Sequence, residues 1–394
     1  MRREPIGRVG PDDTHINVWM VLILSGGMFL NLLVRTVFSP LLLSIEGDLG
    51  ISHKEATQFF LLISAGYSAG MLVSGYVSSK ITHRGTVALA IFTGGVCLII
   101  ISFLHSLHLI RFLLFLTGGG LGLYLPSGLA MIRETVGERS LGKAFSIHEI
   151  GPNFSLILAP VFAQAFVTKA TWRTGIAMIG GVCILYAAAL LVLLRGLDGR
   201  GEGLTLKNLK DILLSSRFWI MVLFFCLAIG ATLGVYSVLP TYLVVERGMP
   251  LHTVNNYIGI SRISGIAAIF LIGLLTDKFG VKSVLFFIIA LSGVTTVLLG
   301  IPPRGVLLVS LFLQPVIIAC FFPVGLTQAA AMWSKSSYNI AISLMVPSSL
   351  VIGGGVFPML LGLLGERGDF ALGLVLLGAV TIACTGFVFL LKYE

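Results

Sequence analysis

Two arginines stand inside stretches that are otherwise apolar: Arg35 in GGMFLNLLVRTVFSP and Arg262 in IGISRISGIAAIFLIGLLTDKFG. A guanidinium at the centre of a bilayer costs about 2.5–3.5 kcal/mol on insertion scales, so something must offset each one. Two kinds of chemistry can. The planar fork of N–H donors matches a carboxylate with two parallel hydrogen bonds, which makes a buried arginine an anion-recognition group. Alternatively, the side chain braces neighbouring helices or reaches the headgroups with its charged end.

Around Arg35, the residues Gly27, Asn31, Arg35 and Ser39 recur every four positions and share one helix face, which must avoid lipid. That face is expected to line a central cavity, unless Arg35 snorkels outward or braces a neighbour. Arg262 is flanked by Ser261, Ser264 and Gly265, small residues that admit a neighbouring helix closely. No acidic residue lies in its own span or in any other span of the C-terminal half. Its counter-charge must come from the N-terminal half or from solvent and solute, which favours an anion site; the alternative is bonding to carbonyls of a broken helix.

Glu149 is the acid placed well inside a span, in AFSIHEIGPNFSLILAP, with His148 beside it. Ser146, Glu149, Pro152 and Asn153 share a face, and successive helical residues point about 100° apart, so His148 and Glu149 cannot both lead into one cavity. If buried, Glu149 would have its pKa drawn toward neutrality, as a proton-coupling carboxylate needs. It is also about 10 Å from the end of its helix, close enough to pair with Lys143 or Arg139 instead.

The elements that must position these groups follow from composition. Of 394 residues 56% are hydrophobic and only 11% charged, and the mean hydropathy is +1.01. Soluble domains run near 25% charged. Apolar runs of about 20 residues, each able to cross about 30 Å of hydrocarbon, recur along the chain. They are continuous rather than alternating, so helices are expected and a barrel is not. Breaking the runs at charged or Gly/Pro-rich interruptions predicts twelve transmembrane helices, near 18–44, 56–78, 85–104, 109–132, 143–167, 174–195, 217–244, 254–276, 282–301, 305–332, 338–364 and 370–391. Residues 1–16 read as a polar cytoplasmic tail ahead of a retained first span.

An even count puts both termini on one side. Seventeen of the 26 Lys and Arg fall on that side and seven on the other, the remaining two being Arg35 and Arg262, so both termini are expected in the cytoplasm. The net charge of +9 is thereby accounted for by topology; no basic cluster interleaved with aromatics points to nucleic acid. Cys97, Cys183, Cys226, Cys320 and Cys384 fall singly in apolar runs and read as packing residues. No Walker, HExxH, CxxC or GxGxxG signature appears, so no metal, cofactor, ATP coupling or enzymatic activity is expected.

The longest polar interruption, 196–216, divides the chain into a bundle at 17–195 and another at 217–394. Two motifs repeat across it. GYVSSKITHRGTV at Gly75 matches GLLTDKFGVKSVL at Gly273, an offset of 198, and YLPSG at Tyr124 matches FFPVG at Phe321, an offset of 197. Two six-helix bundles related by an axis along the membrane normal are the expected product.

Gly273, Asp277, Lys278, Gly280 and Lys282 together resemble the cytoplasmic loop motif of the major facilitator superfamily, Gly-x-x-x-Asp-Arg/Lys-x-Gly-x-Arg/Lys. The N-terminal copy keeps Lys80 and Arg84 but carries Ser79 in place of the acid. The resemblance implies a twelve-helix transporter fold, a gating role for the intact motif, and cavity-lining helices that contain Tyr124, Tyr236 and Gln314. The first helix is loosely similar to that of cyanate and nitrate-type transporters, and an arginine in the eighth is similar to that of the monocarboxylate and oxalate branches. GPNFSLILAP is faintly similar to the fifth-helix motif of antiporters.

The expected function is therefore secondary active transport of a small anionic, carboxylate-type solute by alternating access, driven by protons. Arg35, Arg262, Asn31, Tyr124, Tyr236 and Gln314 are the expected solute-binding residues, and Glu149 and His148 the proton-coupling pair. The expected setting is a bacterial inner membrane, with the chain as a monomer. Efflux of a hydrophobic or drug-like compound is the alternative within transport. A non-transporting membrane sensor is the alternative outside it, and would be expected to carry a long soluble domain.

Overall fold

The computed structural model describes residues 17–137, 140–201, 209–301, 303–333 and 335–391. The tail at 1–16, Arg139 and residues 202–208 of the central loop lie outside the described residues.

The fold is a set of membrane-spanning helices at the expected positions. The first span runs Val18–Leu49; the second and third share His53–Phe103; the fourth to seventh are Leu107–Thr135, Lys143–Lys169, Trp172–Leu193 and Ser216–Val245. The eighth combines Leu251–Ser261 with Ile263–Phe279. The last four are Val281–Gly300, Arg304–Met332, Ile340–Gly365 and Phe370–Leu390. Lipid solvates apolar side chains as well as a protein core does, so these helices adhere through close backbone contact and interhelical hydrogen bonds. Gly66 and Gly70 show how: a methyl group at Gly66 would stand 2.0 Å from the Phe115 carbonyl oxygen, and one at Gly70 would stand 2.1 Å from that of Gly119.

The internal repeat extends to the backbone. The second and third spans part at Thr82, with φ 72 and ψ 161, and the eighth and ninth part at Gly280, with φ 80 and ψ 149. These positions are 198 apart. The conformation suits glycine, and Thr82 is the one non-glycine among the described residues with positive φ. The fourth span is interrupted at Leu123 and the tenth at Cys320, a spacing of 197. The seventh and eleventh spans each contain a π-helical turn, at Gly230–Gly234 and Ile352–Val356.

Two compact units are present. One comprises the described residues of 1–37, 65–158 and 166–204; the other comprises the described residues of 38–64, 159–165 and 205–394. The later half of the first span, Phe38–Leu49, thus belongs to the second unit, where Ser39 donates a 2.7 Å hydrogen bond to the carbonyl of Tyr236.

Candidate functional site

In the first unit, Arg35 occupies the last turn of the helix Val18–Thr36 and is 9% exposed. Its guanidinium carbon lies 4.0 Å from the centroid of the Tyr67 ring, a cation–π contact. Its Nε is buried without a hydrogen-bond partner, and it forms no ion pair among the described residues. Asn31, one turn earlier, serves structure: its amide donates to the Leu121 carbonyl at 2.8 Å, joining the first span to the fourth, while its Oδ1 has no partner. Tyr124 is fully buried and donates to the Leu24 carbonyl.

The fifth span carries the two residues expected to couple protons, His148 and Glu149. His148 is wholly buried, stacked 6.3 Å from Tyr124 at 23°, and neither ring nitrogen makes a hydrogen bond. Glu149, the next residue, has a side chain that is 59% exposed. The helical step between neighbours points the two side chains apart, leaving Glu149 Oε1 3.6 Å from His148 Nδ1, with the Glu149 carboxylate still close enough to act on Tyr67.

In the second unit, Arg262 is 7% exposed and falls where the eighth span is interrupted. Its backbone N–H donates to Gly259, a tighter turn than the α-helix makes. Its guanidinium carbon sits 5.0 Å from the centroid of Tyr236, and its Nε, like that of Arg35, is buried and unbonded. The side chain forms no ion pair among the described residues. Gln314 donates to the Ala231 carbonyl at 2.6 Å, beside the π-helical turn of the seventh span. Tyr236 thus meets Arg262, whereas Asn31, Tyr124 and Gln314 use their donors on backbone carbonyls.

The loop motif has two forms. Asp277, Lys278 and Gly280 are exposed, and the Lys278 ammonium lies 5.3 Å from the Phe279 ring. At the N-terminal copy, Arg84 pairs with Asp198 at 2.9 Å, the His83 backbone N–H donates to the Gly199 carbonyl at 2.8 Å, and Arg200 donates to the Ser79 carbonyl at 3.3 Å. His83 Nε2 is also 3.8 Å from Glu134 Oε1. An acid from the start of the central loop therefore meets the basic residue that lacks one at Ser79.

Sequence reasoning missed Tyr67, Asp198 and the pair Glu46 with His53. Tyr67 carried a signal, since it sits between Gly66 and Gly70 on a span that must pack closely. Asp198 carried none, because only the folded loop brings it to Arg84.

The model of the Major Facilitator Superfamily matches residues 24–268, more than half of the chain. The chain belongs to that superfamily. It is similar to the multidrug resistance protein MdtL of Escherichia coli O9:H4 and of Shigella flexneri, 26% identical over 346 residues, covering 81% of this chain and 85% of that protein. Among solved structures it is similar to a mutant form of the nucleoside transporter NupG, with TM-score 0.79 and 14% identity, covering 95% of this chain and 99% of that one. It is also similar to a bacterial homologue of the human lysosomal transporter Spinster in an inward-facing and occupied conformation, with TM-score 0.75 and 16% identity over 95% and 96% of the chains. These likenesses establish the fold of a multi-pass membrane transporter.

Proposed function

We propose that this superfamily member is a secondary transporter that moves a small anionic, carboxylate-type solute by alternating access, coupled to protons. The observation that carries the reading is the parallel between the two units. Each holds a buried arginine laid on a tyrosine, with an unbonded Nε and no carboxylate paired to it among the described residues. Burial of an unpaired charge is costly, and a solute carboxylate supplies the missing partner. The tyrosine faces hold each guanidinium in place without neutralising it. The proposed setting is a bacterial inner membrane with both termini cytoplasmic, and the proposed working unit is a monomer.

A second reading, efflux of a hydrophobic or drug-like compound, is supported by the likeness to the multidrug resistance protein MdtL. Thermal denaturation of the purified protein with a panel of mono- and dicarboxylates, inorganic anions and hydrophobic cations separates the two. A ligand of the native state at 100 times its Kd adds about 2.7 kcal/mol of apparent stability. Stabilisation by an anion is the expected result. Stabilisation by hydrophobic cations alone would replace the first reading by the second.

A further inference from the structure

We infer that Glu46 and His53 form a proton-binding site whose occupancy holds together the end of the second unit at which the first and second spans meet. The inference deepens the proton coupling proposed above and rests on alternating access, but not on the charge of the solute.

Glu46 lies in the last turns of Phe38–Leu49, and His53 opens the next helix after a short turn. His53 Nδ1 and Glu46 Oε2 are 2.9 Å apart, with side chains 22% and 9% exposed. The other carboxylate oxygen, Oε1, is buried with no hydrogen-bond partner. A buried carboxylate left half unsatisfied is stable only with a positive charge or a proton close by. An imidazolium at 2.9 Å supplies both, so a cationic His53 is the partner this geometry calls for.

The surroundings add to this preference. The charged groups that act on His53 are Glu46 from the first span, Glu366 after the eleventh and Glu246 after the seventh, all acidic. Glu366 accepts the Lys54 backbone N–H at 3.2 Å, and its carboxyl is held below the usual range by hydrogen bonds from Ser52 and that N–H, so it stays anionic. Glu246 accepts the N–H groups of Phe370 and Ala371 at the start of the twelfth span. The imidazole is also packed 5.5 Å from the Phe370 ring. The imidazole is thus bonded to one carboxylate, lies within the field of two others, and packs against the head of the twelfth span. Four residues on, Thr57 is 1% exposed against Gly362 of the eleventh span, where an added methyl group would meet Thr57 Oγ1 at 2.1 Å.

The consequence is a linkage between protons and opening. Separation of this end hydrates both partners and leaves the imidazole to titrate near its ordinary value of about 6.5. The contact is then fully supported below that pH and weakens as pH rises above it, because the closed form binds the extra proton more tightly. Opening of this end would release the proton to the solution it faces.

The test reads opening at Thr57→Cys with a membrane-impermeant maleimide on the full chain in proteoliposomes from pH 5 to pH 9, against the chain without that cysteine as background, each rate being divided by that of an exposed loop cysteine at the same pH because the thiolate is the reacting species. Labelling should rise by up to about tenfold per pH unit through the transition, the limit for a single linked proton. His53→Gln should label fast at every pH, and His53→Lys, a cation that does not titrate in this range, slowly at every pH. Glu46→Gln should abolish the dependence. The inference is overturned if His53→Gln keeps the wild-type midpoint, or if His53→Lys labels like His53→Gln. No solute is added, so loss of anion binding in the denaturation screen leaves this outcome unaffected. Conversely, a flat pH profile overturns the inference and leaves the anion reading standing.

Discussion

Replacing Arg262 with methionine tests whether the buried guanidinium is a ligand-binding group or a brace. Methionine keeps most of the length and flexibility of the stem while removing the charge. What the fold loses is the contact over Tyr236 at 5.0 Å, an interaction of about 0.5–2 kcal/mol. The buried Nε makes no hydrogen bond to forfeit, and no ion pair to a described residue is broken. What the fold gains is relief of about 2.5–3.5 kcal/mol for an arginine at membrane depth. The relief exceeds the loss, so Arg262→Met should be more stable than the wild type by about 0.5–3 kcal/mol. Thermal denaturation with and without the stabilising carboxylate reads both effects at once. The variant should melt at or above the wild-type temperature and lose the ligand-induced shift. Arg262→Lys should recover little of that shift, since a point charge does not reproduce a two-pronged grip. A methionine variant that melts below the wild type would show that the arginine holds the eighth span together, and the reasoning would fail.

Other expectations concern the backbone and the loops. Gly280→Ala meets nothing within 4 Å, so its cost is backbone strain alone at φ 80, about 1–3 kcal/mol, visible as a lower melting temperature. Thr82→Gly, at the corresponding turn, should show no such loss; a drop equal to that of Gly280→Ala would mean that Thr82 is not strained. Asp198→Asn removes the acid opposite Arg84 and should slow transport more than Ser79→Ala does, because the Ser79 hydroxyl bonds only within its own helix, to Tyr76. Transport assayed in proteoliposomes checks this, and equal rates in the two variants would count against a role for Asp198. Gly66→Leu forces side-chain atoms into the Phe115 carbonyl and should cost more than about 1–3 kcal/mol, the usual range for an overpacked core, leaving little folded protein by size-exclusion chromatography.

The spans, the repeated turns and the two arginines Arg35 and Arg262 within the spans were legible in the sequence. The reason is physical: a membrane helix needs about 20 apolar residues in an unbroken run, so composition along the chain already specifies it. The repeat survived because its turns demand particular backbone angles, and Gly280 advertised the one that Thr82 shares. Which of two adjacent polar residues faces inward was not legible. His148 and Glu149 are equally placed in a hydropathy profile, and a rotation of about 100° between them, fixed by what packs against the fifth span, decided that His148 is buried. Partners distant in the chain were hidden for the same reason. Tyr67 lies 32 positions from Arg35 and Asp198 lies 114 from Arg84, and no periodicity links them. Glu46 looked like a loop acid at the end of a span until packing in the second unit removed it from water and set His53 against it. The sequence determined which segments enter the membrane, because that depends on transfer of each segment alone; the tertiary structure decided which polar groups meet, because that depends on helix rotation and packing that no single segment encodes.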